Sequence, residues 1–203
     1  MVNIKDIYEI EKEEKLVYSD ILNQIFDKQK ELLEKYRNIE EIPVIDINNP
    51  KHQKILKEFT FRGIEELAEA YEAYLNNDTE HLIEEISDSI HFFTELLLLV
   101  DINQDLLENI DNYKSKNINL NNIKDNLWEI TYYFSISANI LKCKPWKTTQ
   151  ILTDINKYKQ SLIIAYNKFM IILIFGLGFT NKEILEIYIK KNIVNKFRIR
   201  SKY

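Results

Sequence analysis

The chain has 203 residues, of which 45% are hydrophobic, and this content excludes an intrinsically disordered protein. It has only three glycines and three prolines, which argues against a sheet-rich fold with many turns and favours long helices. The net charge of −5 argues against direct binding to nucleic acid, and the single cysteine, Cys143, excludes an intramolecular disulfide.

The N-terminal part predicts two helices separated by a linker. An amphipathic pattern predicts the first helix from Leu16 to about Arg37, and Glu40–Pro50 is interpreted as the linker. The second helix is predicted from about Lys51 to Leu75. Asn49 is suited to cap it, because a proline directly after the cap is tolerated in the first helical turn.

The middle of the chain predicts two further helices around an asparagine-rich insert. A turn at Asn76–Thr79 precedes the third predicted helix, from about Glu80 to Val100. Residues 101–122 have little periodicity and are interpreted as a loop-rich insert. The fourth helix is predicted from Ile123 to about Lys142.

The C-terminal part predicts two more helices, which completes an all-α bundle of about five to six helices with a four-helix metal-binding core. The fifth is predicted from about Thr148 to Phe175, before a glycine-containing turn. Thr180 and Glu183 match a capping box, so a last helix is predicted from there to about Phe197. We expect residues 1–203 to form one domain.

The sequence gives no indication of a membrane partner. The longest apolar run, Ser161–Phe179, contains Asn167 and Lys168 and falls short of the roughly 20 apolar residues that a transmembrane helix needs. The first residues, Met1–Asp6, lack the apolar core of a signal peptide. We therefore expect a cytoplasmic protein.

Two acidic motifs lie on the second and third predicted helices. Glu66 and Glu69 are three residues apart, as are Glu85 and Asp88, so each pair shares one helix face. Two antiparallel helices would bring the four carboxylates together, where they would repel one another unless a divalent cation lay between them. Oxygen ligands suit Mg²⁺, with Mn²⁺ as the alternative.

The alternative interpretation of each acidic motif is a solvated helix face rich in glutamate. That interpretation is favoured for either motif alone, whereas the two motifs together, on adjacent helices, favour the metal site. Glu65 and Glu84 are expected to face the solvent. His91 follows Asp88 by one turn and is interpreted as a core histidine or as a hydrogen-bond partner of a metal ligand.

A polar stripe on the last helix is a candidate phosphate or sugar site. Lys191, Asn195 and Arg198 lie on one helix face, at positions i, i+4 and i+7. The alternative is that these cations interact favourably with the C-terminal end of the helix. For Lys144 and Lys147 both phosphate binding and a structural role remain open, while Trp146 is interpreted as a core residue. His52 and His81 are interpreted as ordinary surface residues.

Taken together, the motifs resemble those of the all-α nucleoside triphosphate pyrophosphatases, a superfamily that includes dimeric dUTPases and MazG-like enzymes. The pattern Glu-x-x-Glu followed by Glu-x-x-Asp carries the resemblance. The segment Glu84–Phe92, the early Gln29 and the tail Tyr188–Tyr203 are similar to the dimeric dUTPase branch in particular.

The resemblance implies a homodimeric helical bundle that hydrolyses a nucleoside triphosphate to the monophosphate and pyrophosphate. It implies two or three Mg²⁺ ions, held by the four carboxylates. It also implies a set of substrate-binding residues: Gln29, Lys191, Asn195, Arg198 and Tyr203.

Two departures from the family pattern concern the choice of base. The link between the acidic motifs lacks the Trp- and Lys-containing insert of dimeric dUTPases, and the tail reads Arg198-Ile199 and Lys202-Tyr203 instead of Arg-Gln and Gly-Tyr. We expect dUTP as the substrate, with dCTP or a range of modified nucleotides as the alternative. An inactive helical interaction protein is the alternative of another class. A viral or phage origin would place the protein in the cytoplasm of an infected host.

Overall fold

The computed structural model describes residues 16–108, 122–144, 149 and 151–201. These residues contain six α-helices and no strand, which confirms the predicted all-α class. The helices are α1 Ile21–Arg37, α2 Pro50–Leu75, α3 Thr79–Leu99, α4 Ile123–Ile140, α5 Ile155–Ile171 and α6 Asn181–Ser201. A π-helical turn, Ile172–Gly176, continues α5.

Local capping interactions fix the starts of two helices that carry site residues. The side chain of Asn49 accepts a hydrogen bond from the backbone N–H of Lys51 at 2.9 Å, and α2 begins at the next residue, as predicted. The predicted capping box is also present. Glu183 Oε2 accepts from the Thr180 N–H at 2.8 Å, and Thr180 Oγ1 accepts from the Glu183 N–H at 3.2 Å.

The predicted start of the fifth helix was wrong. We expected it near Thr148, which lies outside the described residues, but α5 begins at Ile155. Asp154 caps this start by accepting a hydrogen bond from the Lys157 N–H at 3.0 Å. At the other end of the bundle, α6 continues to Ser201, four residues beyond the predicted end at Phe197.

The insert predicted at residues 101–122 lies mostly outside the described residues. Its described beginning, 101–108, contains a short 3-10 turn, Gln104–Leu106, and buries Ile102 and Leu107 in the core. Residues 101–108 therefore form part of the packed structure.

An antiparallel pair formed by α2 and α3 is the centre of the bundle. α1 packs against α3 and α6, while α4 packs against α2 and α5. The chain passes from α2 to α3 in a short turn at Asn77, which has the positive φ of 55° that asparagine tolerates. The acidic motifs of α2 and α3 therefore face each other across one helix contact.

One glycine sets how closely the central helices approach. A Cβ atom built on Gly63 of α2 would lie 2.4 Å from the Phe93 ring of α3. That ring is fully buried and stacked on Phe134 of α4 with centroids 3.6 Å apart, so it has little room to move. Gly63 therefore keeps α2 and α3 in close contact one turn away from Glu66.

The segment Ile155–Gly176 is long and apolar enough to cross a membrane by length and composition. Half of its most apolar window is buried inside the bundle, however, and Tyr158, Leu162 and Phe169 are fully buried. This helix serves as a core helix of the fold.

Candidate functional site

The fold brings the four predicted carboxylates into two overlapping groups. Side-chain oxygens of Glu66, Glu85 and Asp88 all lie within 4.8 Å of one another. Ligand atoms of Glu69, Glu85 and His81 lie equally close together. Glu85 belongs to both groups and therefore joins them into one cluster at the α2–α3 contact.

Three of the four carboxylates of this cluster are partly or fully buried, whereas Glu69 is exposed. Glu85 is only 6% exposed, whereas Glu65 and Glu84 are exposed, as the sequence predicted. Burial, a hydrogen bond with Glu85 and the charge on Asp88 together raise the pKa of Glu66 to about 8. Crowded carboxylates of this kind are the arrangement that a bound cation would relieve.

His81 was interpreted as an ordinary surface residue, but it contacts the cluster. Its ring is half-exposed, and Nε2 lies 2.5 Å from Glu85 Oε1, one helical turn further along α3. The signal in the sequence was the i, i+4 spacing of the two residues. His81 adds a nitrogen donor beside Glu69 and Glu85.

Lys191 of α6 supplies a cation to the cluster. Its Nζ lies 2.7 Å from Asp88 Oδ2 and 2.8 Å from Glu84 Oε1. Burial alone would lower the pKa of Lys191, but these two hydrogen bonds raise it overall. For Asp88, burial has the opposite effect and raises the pKa, and the contact with Lys191 offsets only part of that increase.

A cavity of about 250 Å³ opens between α1, α2, α3 and α6 beside the cluster. Six of the predicted site residues line it: Gln29, Glu66, Asp88, Lys191, Asn195 and Arg198. Tyr203, the remaining predicted substrate residue, lies outside the described residues. The fold thus brings predicted residues from distant parts of the chain into one cavity, and two of the four carboxylates, Glu66 and Asp88, are among them.

Aromatic and cationic side chains close the part of the cavity away from the cluster. Phe59 and Arg62 of α2 and Phe92 of α3 line this part, together with Tyr36 of α1. The Arg62 guanidinium lies 5.0 Å from the Phe59 ring centroid and 6.0 Å from that of Phe92. Flat faces of this kind suit a planar ligand group.

A buried polar network that the sequence analysis missed reaches the same part of the cavity. Gln29 Nε2 donates a hydrogen bond to Glu95 Oε2 at 3.1 Å, and Tyr188 Oη donates to Gln29 Oε1 at 2.9 Å. Glu95 is 5% exposed and Gln29 and Tyr188 are fully buried. The position of Glu95 on α3, one turn beyond His91, was the available signal.

His91 lines the cavity without contacting a carboxylate in the structure. Its Nδ1 lies 2.9 Å from the Ser87 carbonyl oxygen, to which it donates, and its ring stacks on Tyr188 with centroids 4.3 Å apart. Burial lowers the pKa of His91 to about 4, so the ring is neutral at pH 7. Its Nε2 is therefore a lone-pair acceptor, and it has no hydrogen-bond partner among the described residues.

The described part of the basic segment 142–147, residues 142–144, does not line this cavity. Lys144 follows α4, and the preceding Cys143 accepts a hydrogen bond from Lys57 Nζ at 2.8 Å through its carbonyl oxygen. Trp146 and Lys147 lie outside the described residues. The interpretations of these residues stay predictions.

Comparison with known proteins supports the family suggested by the motifs. The sequence model of a protein family described as dUTPase matches residues 21–203. No curated protein and no solved structure matches the chain. The matched range includes the carboxylate cluster, the cavity and the C-terminal Tyr203.

Proposed function

We propose that this chain, which belongs to the dUTPase family of nucleotide pyrophosphohydrolases, hydrolyses dUTP to dUMP and pyrophosphate with Mg²⁺ as the cofactor. The observation that carries the proposal is the carboxylate cluster beside a cavity lined by Gln29, Lys191, Asn195 and Arg198. This arrangement pairs acidic metal ligands with cations and amides that suit a nucleotide.

The residues of the cluster fit a hard divalent cation. Glu66, Glu85 and Asp88 offer oxygen atoms within 4.8 Å of one another, and Glu69 extends the same cluster. The raised pKa of Glu66 indicates that the cluster does not easily hold its full negative charge without a cation. When bound, Mg²⁺ would neutralise the triphosphate and activate a water molecule for attack on phosphorus.

Side chains from α6 would hold the other side of the triphosphate. Lys191 is already partly desolvated and bonded to Asp88, so it can exchange that contact for a phosphate oxygen without moving far. Asn195 lies one turn and Arg198 two turns further along the same helix face, and both would bind phosphate or sugar oxygens. Tyr203 is proposed to complete the pocket, as the family resemblance implies.

The test is to incubate the protein with each deoxynucleoside triphosphate and Mg²⁺ and to separate the products. We expect the monophosphate and pyrophosphate from dUTP. Release of orthophosphate alone, or of inorganic triphosphate, would show another hydrolytic reaction. Absence of turnover for every nucleotide would favour the inactive interaction protein.

A matched pair of variants tests the role of the cluster. We expect Glu69→Gln to lower the turnover rate about 100-fold or more, because it removes a charged metal ligand, with little change in helicity by circular dichroism. The control is Glu65→Gln, an exposed carboxylate four residues earlier on α2, which should leave the rate unchanged. An unchanged rate in Glu69→Gln would remove Glu69 from the site.

Three further properties are part of this proposal. Mn²⁺ is the expected alternative cofactor because His81 adds a nitrogen donor to the cluster. A homodimer in the cytoplasm, or in the cytoplasm of an infected host for a virus-encoded protein, is expected from the family. dCTP is the competing substrate, since the tail and the short link between the acidic motifs depart from the dUTPase pattern.

A further inference from the structure

Glu95 is a buried acid at the far end of the cavity from the carboxylate cluster. It lies on α3 seven residues after Asp88, which corresponds to about 10 Å along the helix axis. This separation is comparable to the distance between the phosphates and the base of a nucleotide. A triphosphate bound near Asp88 would therefore place its base near Glu95.

The other side of the cavity supports the same orientation of the ligand. On α2, Phe59 lies seven residues before Glu66, and α2 is antiparallel to α3, so Phe59 lies near the Glu95 end. Phe59, Phe92 and the Arg62 guanidinium offer faces on which a base can stack. The end of the cavity near Asp88, which would bind the phosphates, is thus separate from the end near Glu95, which offers flat side chains for a base.

The surroundings of Glu95 keep its carboxyl group neutral. No cation forms an ion pair with it among the described residues, and Arg62 is paired with Glu40 at 3.1 Å and Glu58 at 2.6 Å. The charges of Arg62 and Arg37 favour the ionised form of Glu95 but do not outweigh its burial. Its carboxyl group accepts a hydrogen bond from the neutral amide of Gln29. Burial, reinforced by the charge on Glu40, raises the pKa of Glu95 to about 8, so the acid form dominates at pH 7.

Gln29 holds the acid in a fixed orientation. Tyr188 Oη donates to Gln29 Oε1, so the amide must present its NH₂ group to Glu95 Oε2. Glu95 Oε2 accepts this bond and keeps one lone-pair position. Nε2 of His91, which also lines the cavity, is a second buried acceptor without a partner.

We propose that Glu95 is a specificity-determining residue that binds the hydrogen-bonding edge of a pyrimidine base and accepts both uracil and cytosine. A neutral carboxyl group has one donor and one acceptor, and its proton can sit on either oxygen. It pairs with the N3–H and O4 of uracil in one form and with the N3 and N4–H₂ of cytosine in the other. Gln29 is the positioning residue for this exchange.

This inference rests on the proposed function and predicts a particular effect of an isosteric variant. In Glu95→Gln the amide oxygen must accept from Gln29, so the NH₂ group takes the Oε1 position and can only donate. The exchange between the two forms is lost. The variant should therefore retain affinity for one base and lose affinity for the other.

The experiment is to measure the binding of α,β-imido dUTP and α,β-imido dCTP by calorimetry in the presence of Mg²⁺. The wild-type protein should bind the two analogues with affinities within about tenfold of each other. Glu95→Gln should change the ratio of the two affinities by about ten- to a hundredfold, the effect of one unpaired buried group. The control is Glu65→Gln, which removes an exposed carboxylate of α2 outside the cavity and should leave both affinities unchanged.

Each outcome decides a different question. A wild-type preference for one analogue well above tenfold, or an unchanged affinity ratio in Glu95→Gln that retains its melting temperature, would overturn the role of Glu95 and leave the proposed function standing. Failure of the wild-type protein to bind either analogue would overturn the proposed function itself.

Discussion

Glu85 is the residue on which the two halves of the carboxylate cluster depend. It is the most buried of the four predicted ligands and lies within reach of Glu66 and Asp88 on one side and of Glu69 and His81 on the other. Its burial follows from its position on α3, where the neighbouring Ile86 is fully inside the core. A carboxylate held so rigidly would lose little conformational freedom on binding a metal.

His81 gives a testable difference between metals. Imidazole nitrogen binds Mn²⁺ more readily than it binds Mg²⁺, which prefers oxygen and retains its waters. We therefore expect His81→Gln to weaken Mn²⁺ binding about tenfold and to change Mg²⁺ binding little, as measured by Mn²⁺ electron paramagnetic resonance and by calorimetry. The control is His52→Gln, because His52 accepts a hydrogen bond from the Asp46 N–H instead. Equal losses for both metals would show that His81 only orients Glu85.

Single residues also show which parts of the site can be predicted from the sequence and which cannot. Spacing along one helix was enough to predict that Lys191, Asn195 and Arg198 share a face, and all three line the cavity. Glu95 was missed because its importance depends on Gln29, which comes from α1 and lies 66 positions away in the chain. A periodic pattern cannot indicate which buried position faces a cavity between four helices.

At the scale of elements, the α2–α3 contact positions the site more than any single ligand does. Gly63 allows the two backbones to approach, and the Phe93 ring fills the space that a side chain would need. Phe93 is in turn confined by Phe134 at 3.6 Å and Phe169 at 5.2 Å between ring centroids. The distance between the acidic motifs is therefore set by aromatic packing one turn away.

We expect Gly63→Ala to lower the free energy of unfolding by about 1–3 kcal/mol, the usual result of overpacking a core. This cost exceeds the gain of up to about 1 kcal/mol that alanine brings to a helix interior. Nucleotide turnover should fall as well, since the acidic motifs move apart. Urea denaturation and the product assay measure the two effects.

The double variant Gly63→Ala with Phe93→Leu is the control for that mechanism. A smaller side chain at position 93 leaves room for the new methyl group, so the two changes together should cost less than the sum of their separate costs. If the losses in the free energy of unfolding were strictly additive, Gly63 would matter for a reason other than its contact with Phe93.

Helix starts were predicted well where the capping residue was recognised in the sequence and poorly where it was not. The starts of α2 and α6 follow from capping residues next to them, and both were predicted to within one residue. The start of α5 was predicted too early, because apolar residues such as Ile151 and Leu152 continue the pattern although they lie outside the helix, where both are exposed. Asp154 is the actual cap, and it acts by accepting a hydrogen bond from the Lys157 N–H, which the apolar pattern did not indicate.

At the scale of the molecule, α4 presents an apolar stripe that the described structure leaves uncovered. Trp128, Tyr132 and Ile136 lie at i, i+4 and i+8, with exposed fractions of 69%, 50% and 43%. Large exposed aromatic residues on one face are typical of protein–protein interfaces. In the proposed homodimer, we expect this stripe to pack against the same stripe of a second copy about a two-fold axis.

We expect the wild-type protein to have the mass of a dimer and Tyr132→Glu to have the mass of a monomer, by light scattering after size-exclusion chromatography. A charge in the centre of a dry interface is costly to desolvate, which is why one substitution should suffice. The control is Leu75→Glu at the exposed end of α2, where Leu75 is 60% exposed, and it should leave the mass unchanged. A monomeric wild-type protein, or a dimer that Tyr132→Glu does not weaken, would assign the α4 stripe to something other than self-association.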